Sequence, residues 1–186
     1  GLAPSSHLNW RDLATGSRSF TGVLGYDWAG MSIAIGGGEP QPAFGQLVSG
    51  NYFDLLGVRA ARGRTFAPEE DRKGAGQAVA VVSDHFWRTR LDGDPRAVGA
   101  TLLVNRHPVT VVGVAPPEFR GTDVGFAPEL WLPMALHRVV RPNPDLDWYE
   151  TRRGLFVFAI GRLRPGVSLA AAQSEATALS RRLQEE

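Results

Sequence analysis

The sequence predicts an α+β domain in which the two chain ends build one discontinuous subdomain and a β-rich middle is inserted between them. The elements read helix, three strands and helix, then a β-rich stretch, then strand and helix. A polar loop at Pro68-Glu69-Glu70-Asp71 and Lys73-Gly74-Ala75-Gly76 breaks the chain after Phe66. An irregular linker, Arg138 to Arg153 with Pro142 and Pro144, ends the middle. The boundaries fall at 1–65 plus 154–186 for the discontinuous part and 66–153 for the insert.

Each element has a local cause. Ser5 or Ser6 caps a helix in which Trp10 and Leu13 share a face, and Gly16 stops it. Leu24, Tyr26 and Trp28 alternate as in a half-buried strand, and Met31, Ile33 and Ile35 do so in a second. Gly36-Gly37-Gly38 makes a hairpin tip before a third strand, Pro42 to Val48. Asn51 to Leu56 is a short helix burying Tyr52, Phe53, Leu55 and Leu56, ended by Gly57.

In the middle, Ala78 to Val82 is an apolar strand and Ser83 caps a helix running to Leu91, with Asp84 favouring its positive end. Asp92-Gly93-Asp94-Pro95 turns the chain, and Thr101 to Val104 and Val109 to Val114 are two further strands. A positive φ at Arg106 in their connection would cost roughly 1 kcal/mol, so a longer loop or a bulge is expected there. Gly121 to Phe126 is loop and Leu130 to Leu132 a short strand. Leu155 to Leu163 returns to strand and Arg164-Pro165-Gly166 turns it. Ser168 then caps a last helix whose Leu169, Ala172, Ala176, Leu179 and Leu183 form a narrow apolar seam, with Arg181 and Arg182 matching the helix dipole.

Composition excludes several functions. The chain has 186 residues, 43% hydrophobic and 21% charged, which is ordinary globular usage. A net charge of +1 argues against a nucleic-acid surface. There is no cysteine, so thiol catalysis, thiolate metal sites and disulfides are out. No segment approaches the ~20 apolar residues of a membrane helix. His7, His85, His107 and His137 show no metal-ligand spacing. Glu69-Glu70-Asp71 lacks a calcium-loop glycine, and Pro95 cuts short the acids Asp92 and Asp94. Ser49-Gly50 lacks the upstream glycine of a nucleophile elbow, and no phosphate-binding loop with lysine occurs. No catalytic, cofactor-binding or metal residue is therefore assigned. Of the five tryptophans, Trp87 and Trp131 read as packing anchors. Trp28 and Trp148 border loops and are the candidates for contact with a partner or apolar solute. Ala172 and Ala176 would let the last helix lie close to a neighbour and are the candidate coupling residues.

One ordered series of blocks resembles a known family. It runs Leu47-Val48-Ser49-Gly50-Asn51-Tyr52-Phe53-Asp54-Leu55-Leu56-Gly57-Val58, Gly63-Arg64-Thr65-Phe66, Ala80-Val81-Val82-Ser83-Asp84-His85-Phe86-Trp87 and Gly93-Asp94-Pro95. It continues through Val98-Gly99 and Val111-Val112-Gly113-Val114-Ala115-Pro116 to Pro128-Glu129-Leu130-Trp131-Leu132-Pro133. In order and spacing this resembles the MacB-like periplasmic core domain of ABC-transporter permeases of the MacB/FtsX type. One departure is Arg106, where the family commonly has glycine after Asn105.

The resemblance implies a porter-like subdomain for the chain ends and a sabre-like one for the insert. It implies a non-enzymatic, extracytoplasmic (periplasmic) module that couples cytoplasmic ATP hydrolysis to movement outside the membrane, for export or signalling. It implies as partners a cytoplasmic ATPase subunit or domain, a second permease copy and an outer-membrane or periplasmic protein, with membrane helices before Gly1 and after Glu186. The rival reading is an extracytoplasmic ligand-binding or sensory module of the same fold, with a pocket lined by Trp28 or Trp148.

Overall fold

The computed structural model describes residues 4–72, 74, 78–142, 147 and 149–184. Packing divides the chain into two compact units, Gly1–Asp27 with Asn143–Glu186, and Trp28–Pro142. The sequence divides it at 65 and 154 instead; the structure packs the stretch 28–65 with the middle. The α+β class is as expected.

The strand β1, Phe20–Ile35, belongs to both units. The sequence reads it as two strands, and this is corrected: Ala29-Gly30 continues the strand. Its first part pairs with β8 (Phe158–Leu163) and its last part, Ile33 to Ile35, with β5 (Thr101–Val104). Ladders at both ends hold the chain extended where the local pattern alone would allow a break.

In the unit Trp28–Pro142 the strand pairings close on themselves. Besides β1 and β5 they involve β2 (Gln41–Val48), β4 (Val79–Val82), β6 (His107–Val114) and β7 (Leu130–Pro133). The circuit runs β1–β2–β7–β4–β6–β5 and back to β1, so none of these six is left with an open edge along its whole length. The short β3, Arg62–Gly63, adds to β6. Every residue of β4 and of β7 is buried, as expected of strands covered on both faces. The hairpin between β1 and β2 turns at Gly36 and Gly37, both at positive φ (56° and 80°), which is why glycines stand there.

Helix α2 (Tyr52–Leu56) buries Tyr52 and Phe53 and ends at Gly57 with φ 73°; Leu55 and Leu56 are only half-buried. Helix α3 (Asp84–Arg90) starts as predicted, with the Ser83 hydroxyl accepting the Phe86 amide at 3.0 Å. The expected linker from Arg138 begins inside a short helix, α4 (His137–Val140).

The β5–β6 turn is the second correction. Val104 pairs directly with His107, so the connection has two residues, at φ 47° for Asn105 and 72° for Arg106. The Asn105 side chain explains why the strain is tolerated. Its oxygen accepts the Ser32 amide at 2.8 Å and its nitrogen donates to the Val139 carbonyl at 3.0 Å. These bonds fix the turn in place of a glycine.

The other unit holds α1 (His7–Gly16), the start of β1, β8 and α5 (Leu169–Gln184). Ser6 is the cap of α1, its hydroxyl accepting the Asn9 amide at 3.1 Å. Trp10 lies flat on the sheet because Gly25 has no side chain; a Cβ there would stand 2.8 Å from the indole. His7 is buried between Trp10 and Tyr149, with ring centres 5.4 and 3.7 Å away. Arg152 bridges to Asn9 at 2.5 Å and Asp12 at 2.9 Å.

Candidate interaction surface

Trp28 is the predicted contact residue that the structure places most clearly. In the unit Trp28–Pro142 its ring stacks on Phe44 of β2, centroids 4.9 Å apart and planes within 9°. Phe126 meets the same ring edge-on at 5.9 Å. Phe44 is 41% exposed and Phe126 63% exposed, and Val124 beside them is fully open to solvent. The result is an aromatic platform ending in an apolar loop tip, an arrangement that fits contact with another macromolecule.

The platform is held from beneath. The carbonyl oxygen of Gln46, a fully buried side chain, accepts the Trp131 indole N–H at 2.9 Å and the Tyr52 hydroxyl at 3.1 Å. The Gln46 amide nitrogen donates to Asp123 at 3.3 Å, which ties the loop carrying Val124 and Phe126 to the sheet. Burial pushes the Tyr52 hydroxyl up to about 12, so it remains a donor throughout the working pH range. Phe119 packs on Trp131 and Phe53 at 5.2 and 5.8 Å, anchoring the other end of the loop. On the rim, Glu129 pairs with Arg90 at 2.8 Å and binds the Phe44 backbone at both N–H and C=O.

Sequence reasoning found Trp28 but missed Phe44, Val124 and Phe126. The available signal was Val124-Gly125-Phe126: apolar side chains in a loop beside glycine have no strand or helix to bury them. Trp148 lies outside the described residues. His85 and His107 are exposed, while His7 and His137 are buried in different units.

In the other unit, Ala172 is 1% exposed and Ala176 and Leu179 are half-buried. Leu169 is 72% exposed, which corrects its place in the seam: it stands in the first turn of α5, beyond the packed stretch. The side chain of Leu183 lies outside the described residues. Beside the seam, Glu175 ties α5 to the end of α1. It accepts the Ser17 hydroxyl at 2.7 Å, the Arg18 amide at 2.8 Å and the Ser19 amide at 2.9 Å. Hydrogen bonding from Ser19, then from Arg18 and Ser17, lowers the carboxyl to about 2. A depressed carboxyl contributes stability that is full above its unfolded value near 4.5 and is lost as pH falls through about 2. Acid titration of the unfolding midpoint should therefore show a drop between those limits, and Glu175→Gln should flatten it.

These two surfaces sit on a recognisable scaffold. The family model described as MacB-like periplasmic core domain matches residues 4–179, nearly the whole chain. The chain belongs to that family. It is a MacB-like periplasmic domain of a bacterial ABC permease, a fold that is not a catalytic family. Among curated relatives, the macrolide export ATP-binding/permease protein MacB of Chromobacterium violaceum is 34% identical over 86 residues, 46% of this chain and 13% of that protein. A MacB protein of Paracoccus denitrificans is 39% identical over 74 residues, 40% of this chain and 11% of that protein. The matches thus span about an eighth of those relatives' length.

The solved periplasmic region of MacB from Actinobacillus actinomycetemcomitans matches with TM-score 0.73 and 16% identity, over 100% of this chain and 77% of that one. The extracellular domain of the noncanonic ABC-type transporter YknZ from Gram-positive bacteria matches with TM-score 0.65 and 16% identity, over 98% and 85%. At such identities the likeness is one of fold. No helix among the described residues of the MacB-like domain is long and apolar enough to cross a membrane.

Proposed function

We propose that this domain couples cytoplasmic ATP hydrolysis to movement on the outer side of the membrane, in the service of export. The observation that carries it is the tie between α1 and α5. Glu175 pins α5 to the Ser17–Ser19 corner at the end of α1, immediately before β1, a pivot about which the two helices would move against each other. Membrane helices preceding α1 and following α5 would deliver displacement to this pair. The small residues Ala172 and Ala176 allow close sliding contact, and β1 carries the shift onward because one unbroken strand enters both compact units. On this reading the unit containing both chain ends is porter-like and the other sabre-like.

The partners follow: an ATPase subunit or domain, a second copy of the permease, and an outer-membrane or periplasmic protein. The Trp28–Phe44–Phe126 platform is the surface for the last of these. Its principal ring face is already stacked, which suits docking of a protein surface better than enclosure of a small molecule. The relatives' names, macrolide export and syringafactin export, favour export over signalling.

The test joins the helices covalently in the intact permease. A Cβ built at Gly16 lies 3.9 Å from the Leu179 side chain, so Gly16→Cys with Leu179→Cys can be bridged by a short bifunctional reagent in a domain without native cysteine. Transport should stop on bridging and return when a cleavable bridge is cut. Unimpaired transport with the bridge in place would reject the coupling role.

A further inference from the structure

Beside α3 the unit Trp28–Pro142 carries a cleft of about 390 Å³, within the size range of small-molecule sites. The strand circuit of that unit is closed and every lining residue lies between 83 and 129, so neither chain end shapes the cleft. His85 and Arg88 of α3 stand on one side. The stems of the 121–127 loop make the other, Arg120 before it and Ala127 after it. The apolar part is Pro117, Phe119 and Pro128. Pro128 is buried, and the half-buried Phe119 ring is fixed against Trp131 and Phe53, so this surface is preformed.

The charges of the lining are unequally satisfied. Both of its carboxylates are engaged. Asp84 accepts Arg88 Nε at 2.7 Å, and Glu129 accepts Arg90 at 2.8 Å and the Phe44 amide at 3.2 Å. Arg88 uses only Nε in its pair, and its guanidinium carbon lies 5.4 Å from the centre of the Trp87 ring. Asp84 and Trp87 thus orient the group while its two terminal nitrogens remain as donors. Arg120 is exposed and hydrogen-bonds to nothing among the described residues. Glu118 does not line the cleft. Two guanidinium groups therefore face a preformed apolar surface with donors to spare. Such groups match the paired oxygens of a carboxylate, and one already oriented loses little freedom on binding.

We propose that this cleft binds a small amphipathic carboxylate, its charge on Arg120 and the terminal nitrogens of Arg88, its aryl or alkyl body on Pro117, Phe119 and Pro128. The inference concerns this cleft alone, so the cross-linking result above leaves it untouched.

Equilibrium binding to the intact permease in nanodiscs tests it, with empty nanodiscs as the blank. Hydrocinnamate and octanoate are the probes, each compared with its alcohol. The acids should bind saturably and about tenfold or more tightly than the alcohols, since hydrogen bonds to a charged group are worth at least that factor. Arg120→Gln should weaken the acids about tenfold or more, and Arg120→Lys, which keeps the charge, only about threefold. Ala127→Glu, which adds a carboxylate to the lining, should weaken them as much as Arg120→Gln. Both positions are exposed, and unfolding midpoints equal to the parent's will show the folds intact. No saturable binding of either acid up to about 10 mM, equal affinity for acid and alcohol, or unchanged affinity in Arg120→Gln would overturn the proposal. So would a peptide ending in a free phenylalanine carboxylate that binds more than about tenfold tighter than the small acids, since the cleft would then serve a chain end.

Discussion

Trp131→Ala should lower the stability of the unit Trp28–Pro142 by about 3–5 kcal/mol, the range for removing a large buried aromatic. Trp131 is fully buried and touches both Phe53 and Phe119, at 5.6 and 5.2 Å between ring centres. The substitution also removes one of the two donors to the Gln46 oxygen, the Tyr52 hydroxyl remaining. Trp131→Phe narrows the change: it keeps most of the apolar contact and loses the hydrogen bond with part of the ring volume, and because Tyr52 still donates to Gln46 the lost bond itself should cost about 0.5–1.5 kcal/mol. Thermal or denaturant unfolding of both variants reads the difference. Because Gln46 also holds Asp123, both variants should loosen the Val124–Phe126 loop, seen as faster amide exchange there. An alanine variant that melts with the parent protein would show that this cluster does not hold the unit together.

How much of this was legible in the sequence depends on the range of the interaction. Ser83 and Gly57 act within one helical turn and their caps were read correctly from neighbours three or four residues away, while Ser6 was one of two candidates with Ser5. Trp131 was rightly read as an anchor because a tryptophan inside an apolar strand has few other places to go. The turn at Asn105-Arg106 was misread because the compensation comes from Ser32, Val139 and Val140, far along the chain. The same is true of β1: what keeps it continuous is pairing with β5 and β8, which no window of residues 20–35 contains. The platform was half legible. Trp28 was singled out as bordering a loop, which it does not, since β1 runs on through it; Phe44 and Phe126 join it only once β2 and the 121–127 loop are brought to the same face.

Gly113→Ala is the second substitution expected to have a large effect, and its cause is a backbone crossing. Gly63 of β3 pairs with Gly113 of β6. A Cβ on Gly113 would stand 2.0 Å from the Arg64 carbonyl oxygen and 3.1 Å from that of Arg62. Gly63 is equally constrained: its φ is 67°, and a Cβ there would lie 2.3 Å from the Val112 carbonyl oxygen. Backbone atoms cannot swing aside like the end of a side chain. The alanine must therefore push β3 off β6, breaking the Ala61 N–H to Val114 and Arg64 N–H to Val112 bonds of 2.8 and 3.0 Å. Overpacking of this sort costs about 1–3 kcal/mol or more. Gly30→Ala is the control, since it lies in β1 with nothing within 4 Å of the added methyl and no positive φ. That change should be neutral or stabilising by up to about 1 kcal/mol. Amide exchange at Ala61 and Arg64 reports the crossing directly: both should lose protection in Gly113→Ala and keep it in Gly30→Ala. Retained protection at both sites in Gly113→Ala would mean that β6 can shift to admit a side chain, and the close approach would not be what places glycine there.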